Sequence, residues 1–302
     1  MRILTACLHD IYSQFSIFNS QFTISLYYVI IQGDYIGVIN LAKVVPLFSG
    51  SKGNSYYIGS SGEGVLIDVG RSCKQIENAL SLNSIDISSI GAVFITHEHI
   101  DHCQGLRVFA KKNKIKIYAS AGTLEAMAEK NLICPENTVE VIEDKIAVGN
   151  MQVERCDTPH DARESCCYKV YTSDGRTATV ATDMGIMTDG VRKLISTSDF
   201  AVVESNHDVR MLKLGGYPYN VKQRILSDRG HLCNEACADE LAGFIRNGNF
   251  RLMLGHISEN NNTPTLALNT SVNALSELGM KSGIDFTLEV VPAETIGKSV
   301  VF

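Results

Sequence analysis

The chain has 302 residues, 45% of them hydrophobic and 20% charged, with a net charge of −6. That is the composition of an ordinary soluble globular protein, and the length suits one large α/β unit. An acidic balance supplies no global field for nucleic acid, which excludes a generic DNA-coating protein but not an enzyme with a local basic groove.

The first forty residues differ from the rest. Ile11 to Gln32 carries no charge, and Ser, Gln and Asn recur through it. Its longest apolar piece, Leu26 to Ile31, is far too short to span a bilayer. It has neither the basic start nor the small-residue cleavage site of a secretory signal. Residues 1–40 are expected to be an irregular extension or the product of a misassigned start, with no stable membrane association. One domain is expected from 41 to 302.

From Lys43 the pattern is strand-rich. Strands are predicted at 43–48, 56–59 and 64–70, with the turn Ser49-Gly50-Ser51-Lys52-Gly53-Asn54-Ser55 after the first. Ser72 is placed as the cap of a helix to about Leu82, with Ile76, Ala79 and Leu80 on one face. The apolar, β-branched run 91–96 reads as a buried strand. A helix at 105–112, a strand at 115–118 and a helix at 122–131 follow. Strands are predicted at 139–142, 151–157, 166–172 and 177–182, then a helix at 188–196 and a strand at 200–204. Helices at 209–214, 219–228 and 234–247, strand 251–255, helix 265–278 and strand 286–290 complete the pattern. This mixture predicts an α+β protein, two packed mixed sheets with helices outside.

The nine cysteines are scattered without a C-x-x-C spacing, which predicts free thiols in a reducing compartment rather than a disulfide framework. Cys166 and Cys167 alternate faces of one strand, so one of the two is expected to be buried.

Chemistry concentrates at residues 96–102, Thr-His-Glu-His-Ile-Asp-His. No packing rule asks for His97, His99, Asp101 and His102 within six positions. Metal coordination does, since imidazole nitrogen and carboxylate oxygen are the ligands that zinc and its neighbours prefer. Three more ligand-type residues end later strand-like runs: His160, Asp183 and His256. Any one alone is an ordinary strand-end group. Together with the cluster they make seven ligands, which fit two metals better than one. Asp68 also ends a buried strand and is placed behind a ligand histidine.

The H-x-H-x-D-H motif with His160, Asp183 and His256 in order resembles the metallo-β-lactamase superfamily across residues 43–302. The resemblance implies an αββα sandwich with a dinuclear site at one edge. It also implies that His97, His99 and His160 bind one divalent metal, that Asp101, His102 and His256 bind a second, and that Asp183 bridges them. The ligand types suit zinc first and admit manganese. Such ion pairs, about 3.5–4 Å apart, activate water and stabilise charge at the attacked centre, and Asp101 can take a proton there.

The superfamily hosts several reactions, so the fold alone decides nothing. Asp183 stands where a well-known group of lactamases has cysteine. Gly230-His231-Leu232-Cys233-Asn234 before a helix, and Leu254-Gly255-His256-Ile257-Ser258, resemble segments of tRNA 3′-processing endonucleases. That likeness implies a phosphate contact and a proton for the leaving oxygen from His231, beside a helix N-terminus that favours phosphate. Residues 205–230 carry five basic against two acidic side chains, a net of +3 that leaves −9 elsewhere. A basic flap suits a phosphate backbone, and Tyr217 and Tyr219 suit base stacking.

The motifs Ser49-Gly50-Ser51-x-Gly53-Asn54-Ser55, Thr158-Pro159-His160-Asp161-Ala162, Glu204-Ser205-Asn206-His207-Asp208 and Ser258-Glu259-Asn260-Asn261-x-x-Pro264 resemble the YycJ/WalJ group of bacterial metallohydrolases. That implies a cytoplasmic 5′-to-3′ DNA exonuclease. Ser51, Asn54, His207 and His231 are the expected substrate contacts. A small-molecule phosphodiesterase or thioesterase of the same fold is the alternative enzyme. A metal-binding regulatory protein without turnover is the alternative of another class.

Overall fold

The computed structural model describes residues 27–31, 35–39, 41–247, 251–294 and 300–302. The chain divides into two compact units, Met1–Ile39 and Asn40–Phe302. In the first, β1 (Tyr27–Ile31) pairs antiparallel with β2 (Tyr35–Ile39). An irregular extension was expected there. The aromatic and β-branched run Tyr-Tyr-Val-Ile-Ile is a strand former, and its lack of charge had drawn more weight than its propensity. The other positions of 1–40 lie outside the described residues.

The second unit holds two seven-stranded sheets. The first is built from β3 (Lys43–Phe48), β4 (Ser55–Ser60), β5 (Glu63–Ile67), β6 (Ile90–Phe94), β7 (Lys116–Ala119), β8 (Val139–Val141) and β16 (Val300–Val301), in the order β16-β3-β4-β5-β6-β7-β8. The second contains β9 (Lys145–Val148), β10 (Met151–Asp157), β11 (Cys166–Tyr171), β12 (Thr177–Ala181), β13 (Phe200–Glu204), β14 (Arg251–Gly255) and β15 (Thr287–Val290). Its order is β15-β14-β13-β12-β11-β10-β9. Each sheet is part parallel and part antiparallel. The run β5 to β8 is parallel in one, and β12 to β15 in the other.

Apolar side chains fill three layers. Tyr56, Phe94, Tyr168 and Phe200 lie between the sheets. Outside the first sheet, α1 (Cys73–Leu82) turns Ile76, Ala79 and Leu80 inward, and α3 (Leu106–Asn113) adds Leu106 and Phe109. Outside the second, α5 (Asp189–Ser196), α8 (Asn234–Arg246) and α9 (Pro264–Glu277) supply Val191, Leu241 and Leu275. The expected two sheets with outer helices are present.

Four details differ from expectation. The Ser72 hydroxyl makes no cap bond; it donates to Gln75 Oε1 at 2.7 Å. Cys166 and Cys167 are both buried, because this strand is covered on each face. Strand β9 was not anticipated, although Val148 and Met151 pair across a two-residue Gly149-Asn150 turn, a strong hairpin signal. The short helix α2 (Ile100–Cys103) inside the histidine cluster was missed because its ligands hide any apolar period.

Candidate metal centre

The site lies where strands of both sheets end. From the first sheet, β5 leads to Asp68 and β6 leads through Thr96 to His97, His99 and α2. From the second, β10 leads to His160, β12 to Asp183, β13 ends on Glu204, and β14 leads to His256. Parallel strands put all these ends on one edge, the usual place for chemistry in such sheets.

Local geometry brings the seven predicted ligands together. His97, His99 and His160 form one group with donor atoms within 4.8 Å of one another. Asp101, His102 and His256 form a second, and Asp183 joins His97 and His102 in a third. His97 Nε2 is 3.0 Å from His99 Nδ1. Two nitrogens on one tetrahedral zinc, each about 2.0–2.1 Å from it, would stand about 3.3 Å apart. Asp183 turns Oδ1 toward His160 Nε2 at 3.9 Å and Oδ2 toward His102 Nε2 at 3.4 Å. Glu98, between two ligands, points away and accepts Arg163 N–H at 3.1 Å.

The second nitrogen of most ligand histidines is occupied by protein. His102 Nδ1 meets Asp68 Oδ2 at 2.8 Å, and Asp68 also accepts Thr96 N–H at 2.9 Å. His160 Nδ1 donates to Gly230 O at 2.9 Å. His256 Nδ1 meets Glu204 Oε1 at 2.8 Å. Among the described residues, the inward atoms His160 Nε2, Asp183 Oδ2 and His256 Nε2 are buried without a hydrogen-bond partner, although Asp161 Oδ1 approaches His160 Nε2 to 3.2 Å. Buried polar atoms are rarely left so. Fixed outer nitrogens with orphaned inner donors are what divalent cations require, so the donor set fits two of them.

Charge agrees. Burial works against a proton on His102, yet Asp183, Asp68 and Asp101 push its pKa up to about 9. Burial also opposes charge on Asp101, but His102 and His256 hold its carboxyl well below the usual carboxylate range. The buried carboxylates draw positive charge into the pocket, and a cation answers the same demand. Backbone strain marks the same edge. Asp68, Asp183 and His256 have φ of 63°, 60° and 54°, in the left-handed region.

Glu204 was not singled out as a site residue. It is fully buried and takes four contacts: His231 Nδ1 and His256 Nδ1 at 2.8 Å each, Met184 N–H at 2.9 Å and Leu232 N–H at 3.1 Å. Its signals were a carboxylate closing the apolar run Phe-Ala-Val-Val and its place at the head of the motif Glu204-Ser205-Asn206-His207-Asp208. Two asparagines tie the neighbouring loops. Asn206 donates to His256 O at 2.9 Å, and Asn262 donates to Ser205 O at 2.9 Å and to Asn206 O at 3.0 Å.

The expected substrate contacts fall in different places. His231 is 16% exposed at the pocket, just before α8. Cys233 caps that helix as serine would, accepting Ala236 N–H at 3.4 Å. Ser51 is exposed on its turn. Asn54 is enclosed, and its amide faces His102 Nε2 at 3.1 Å and Gly50 O at 3.2 Å. That nitrogen is the inward one of the ring, and Gly70 lets the chains close here: a Cβ on Gly70 would overlap the Asp101 carbonyl. His207 is 1% exposed with both ring nitrogens unpartnered, and burial pushes its pKa down to about 4.

The basic flap, residues 205–230, carries α6 (Val209–Leu214) and α7 (Tyr219–Ile225). Arg224 pairs with Asp161, and Arg229 donates to His160 O at 2.8 and 3.0 Å. Two of its five cations therefore hold the His160 loop. Arg210 and Lys213 are exposed, as are Leu214 and Tyr219 at 77% each, while Tyr217 accepts a bond from Asn260 at 2.8 Å.

A family profile described as a β-lactamase superfamily domain matches residues 64–257 and so includes every predicted ligand. The chain belongs to the β-lactamase superfamily. It is 35% identical over 244 residues to an exodeoxyribonuclease YycJ of Bacillus anthracis, covering 80% of this chain and 92% of the relative. An exodeoxyribonuclease WalJ of Streptococcus pneumoniae is 34% identical over 249 residues, 81% of this chain and 92% of the relative. The metallo-β-lactamase fold protein YhfI of Bacillus subtilis superposes with a TM-score of 0.62 at 15% identity, covering 84% of this chain and 98% of that one. This last likeness establishes the sandwich fold. Among the described residues no helix is long and apolar enough to cross a membrane.

Proposed function

We propose that the protein is a dinuclear metal-dependent phosphodiesterase acting on nucleic acid, a 5′-to-3′ DNA exonuclease of the cytoplasm. One observation carries the reading: buried, orphaned donors from both sheets converge at one edge, in a chain whose near full-length relatives bear the name exodeoxyribonuclease. His97, His99 and His160 would hold one cation, Asp101, His102 and His256 a second, with Asp183 between them. Two bound divalent ions, zinc or manganese, supply Lewis acidity toward phosphoryl oxygens and lower the pKa of water.

The protein's own groups do the rest. Asp68 and Glu204 fix the tautomers and ring angles of His102 and His256. Asp101 accepts a proton at its partly exposed carboxylate. Glu204 engages His231 Nδ1, which leaves Nε2 as the atom that gives a proton to the leaving oxygen. Neutral His207 forms the inner wall beside that pair. Ser51 offers its hydroxyl from the exposed turn. Arg210 and Lys213, with the exposed Tyr219 on the following helix, suit an extended phosphate backbone and a stacked base. A small phosphodiester or a thioester has no use for such a flap.

The test is a nuclease assay on end-labelled single- and double-stranded DNA, RNA and a chromogenic phosphodiester across several divalent metals. Mononucleotide release from the 5′ end of DNA is expected. Activity on the chromogenic ester alone would leave a small-molecule phosphodiesterase. Metal binding with no turnover on any substrate would leave a regulatory protein.

A further inference from the structure

Strand β10, which delivers His160, pairs antiparallel with β11, and their register sets Cys156 directly opposite Cys167. Both thiols face the outer helical layer, Cys167 within its core and Cys156 partly exposed at its edge. Opposed residues of antiparallel strands stand about 4.5–5.5 Å apart at Cα. A disulfide spans about 4.4–6.8 Å. Cys166, next in the chain, faces the opposite way into the inter-sheet core, so the opposition is particular to one pair.

We propose that Cys156 and Cys167 are a peroxide-reactive pair that closes to a reversible disulfide on the strand leading to His160. The sulfur of Cys156 attacks hydrogen peroxide; an S–O bond forms, the O–O bond breaks, and hydroxide leaves and takes up the thiol proton as water. The sulfur of Cys167 then attacks Cys156; the S–S bond forms, the S–O bond breaks, and the oxygen departs as a second water with the Cys167 proton. Two thiols lose two electrons, and one peroxide gains them.

The roles follow from surroundings. A hydrogen bond from Cys167 draws the Cys156 thiol below its ordinary range, whereas burial pushes Cys103, Cys166 and Cys237 up. The attacking thiol is the reachable one, and its resolving partner is already in place. This inference stands apart from the nuclease reading, since neither thiol is a ligand.

The full chain is treated with hydrogen peroxide, alkylated and digested with trypsin. The sequence cuts after Arg155, Arg163 and Lys169. Peptides 156–163 and 164–169 should emerge joined, lighter by two hydrogens than their sum, and separate on reduction. Cys166→Ala should keep the link. Cys156→Ser and Cys167→Ala should each abolish it, the latter leaving a sulfenic acid that dimedone traps on Cys156. A link that survives Cys167→Ala, or a Cys156 that alkylates as fully after peroxide as before, overturns the proposal.

Discussion

The first sheet supplies its predicted ligands from one turn, residues 97–102, backed by Asp68 at the end of β5, while the second sends single side chains from four separate strand ends. Concentration and dispersal have different costs. The turn holds four predicted ligands with local bonds and one close approach at Gly70. The dispersed set needs Glu204, Asn206 and Asn262 to tie β13, β14 and the 231 loop together, and it accepts left-handed backbone at Asp183 and His256. A metal site that straddles two sheets thus reads as one motif on one side and as a hydrogen-bond lattice on the other.

The sharpest way to break this contrast is to remove one ligand from each side. His97→Ala and Asp183→Ala should each cost at least about 10³-fold in kcat/KM for DNA hydrolysis, with the fold retained by circular dichroism. A large loss in the first and a small one in the second would mean that the second sheet only decorates a mononuclear site.

Positioning groups come next. Asp68→Asn and Glu204→Gln should lower metal affinity or activity by about 10–100-fold, read by metal titration and by rate. The contrast would sharpen if Glu204→Gln also altered the rate with saturating metal, because it serves His231 as well as His256.

Metal removal probes the join between the sheets. Chelation should lower stability by about 3–4 kcal/mol for each cation lost, relative to protein with metal at 100–1,000 times its dissociation constant. Calorimetry before and after adding back zinc or manganese measures it; an unchanged melting temperature would deny that cations tie the sheets. The smallest effect should come from the flap. Arg210→Ala and Lys213→Ala should each weaken DNA binding and reduce the salt slope by about one, leaving kcat unchanged. Arg224→Ala should instead lower kcat, because Arg224 holds Asp161 beside His160.

Legibility in the sequence followed the same divide. The 96–102 cluster was visible because its spacing is local. His160, Asp183 and His256 were found only because each closes an apolar run. Glu204 closes such a run too, yet a lone carboxylate at a strand end has commoner explanations. The asparagine ties were unreadable because a side-chain amide shows its partner only after the loops have met. Most sheet strands and outer helices followed from periodicity, while β9 was missed at a Gly-Asn turn and β16 is two residues long. Counting all five basic side chains of the flap as free for phosphate overlooked Arg224 and Arg229, which face the His160 loop.

The positive φ angles at Asp68, Asp183 and His256 narrow what a protein engineer can do here. Aspartate, asparagine and histidine tolerate that conformation better than other side chains do, so the alphabet that binds the ion and the alphabet that the backbone accepts nearly coincide. Exchanging Asp183 or His256 for cysteine or glutamate to retune metal preference would carry a folding penalty of about 1–3 kcal/mol before any selectivity appeared. Positions 97, 99 and 102 are free of that double demand and are the ones to vary first.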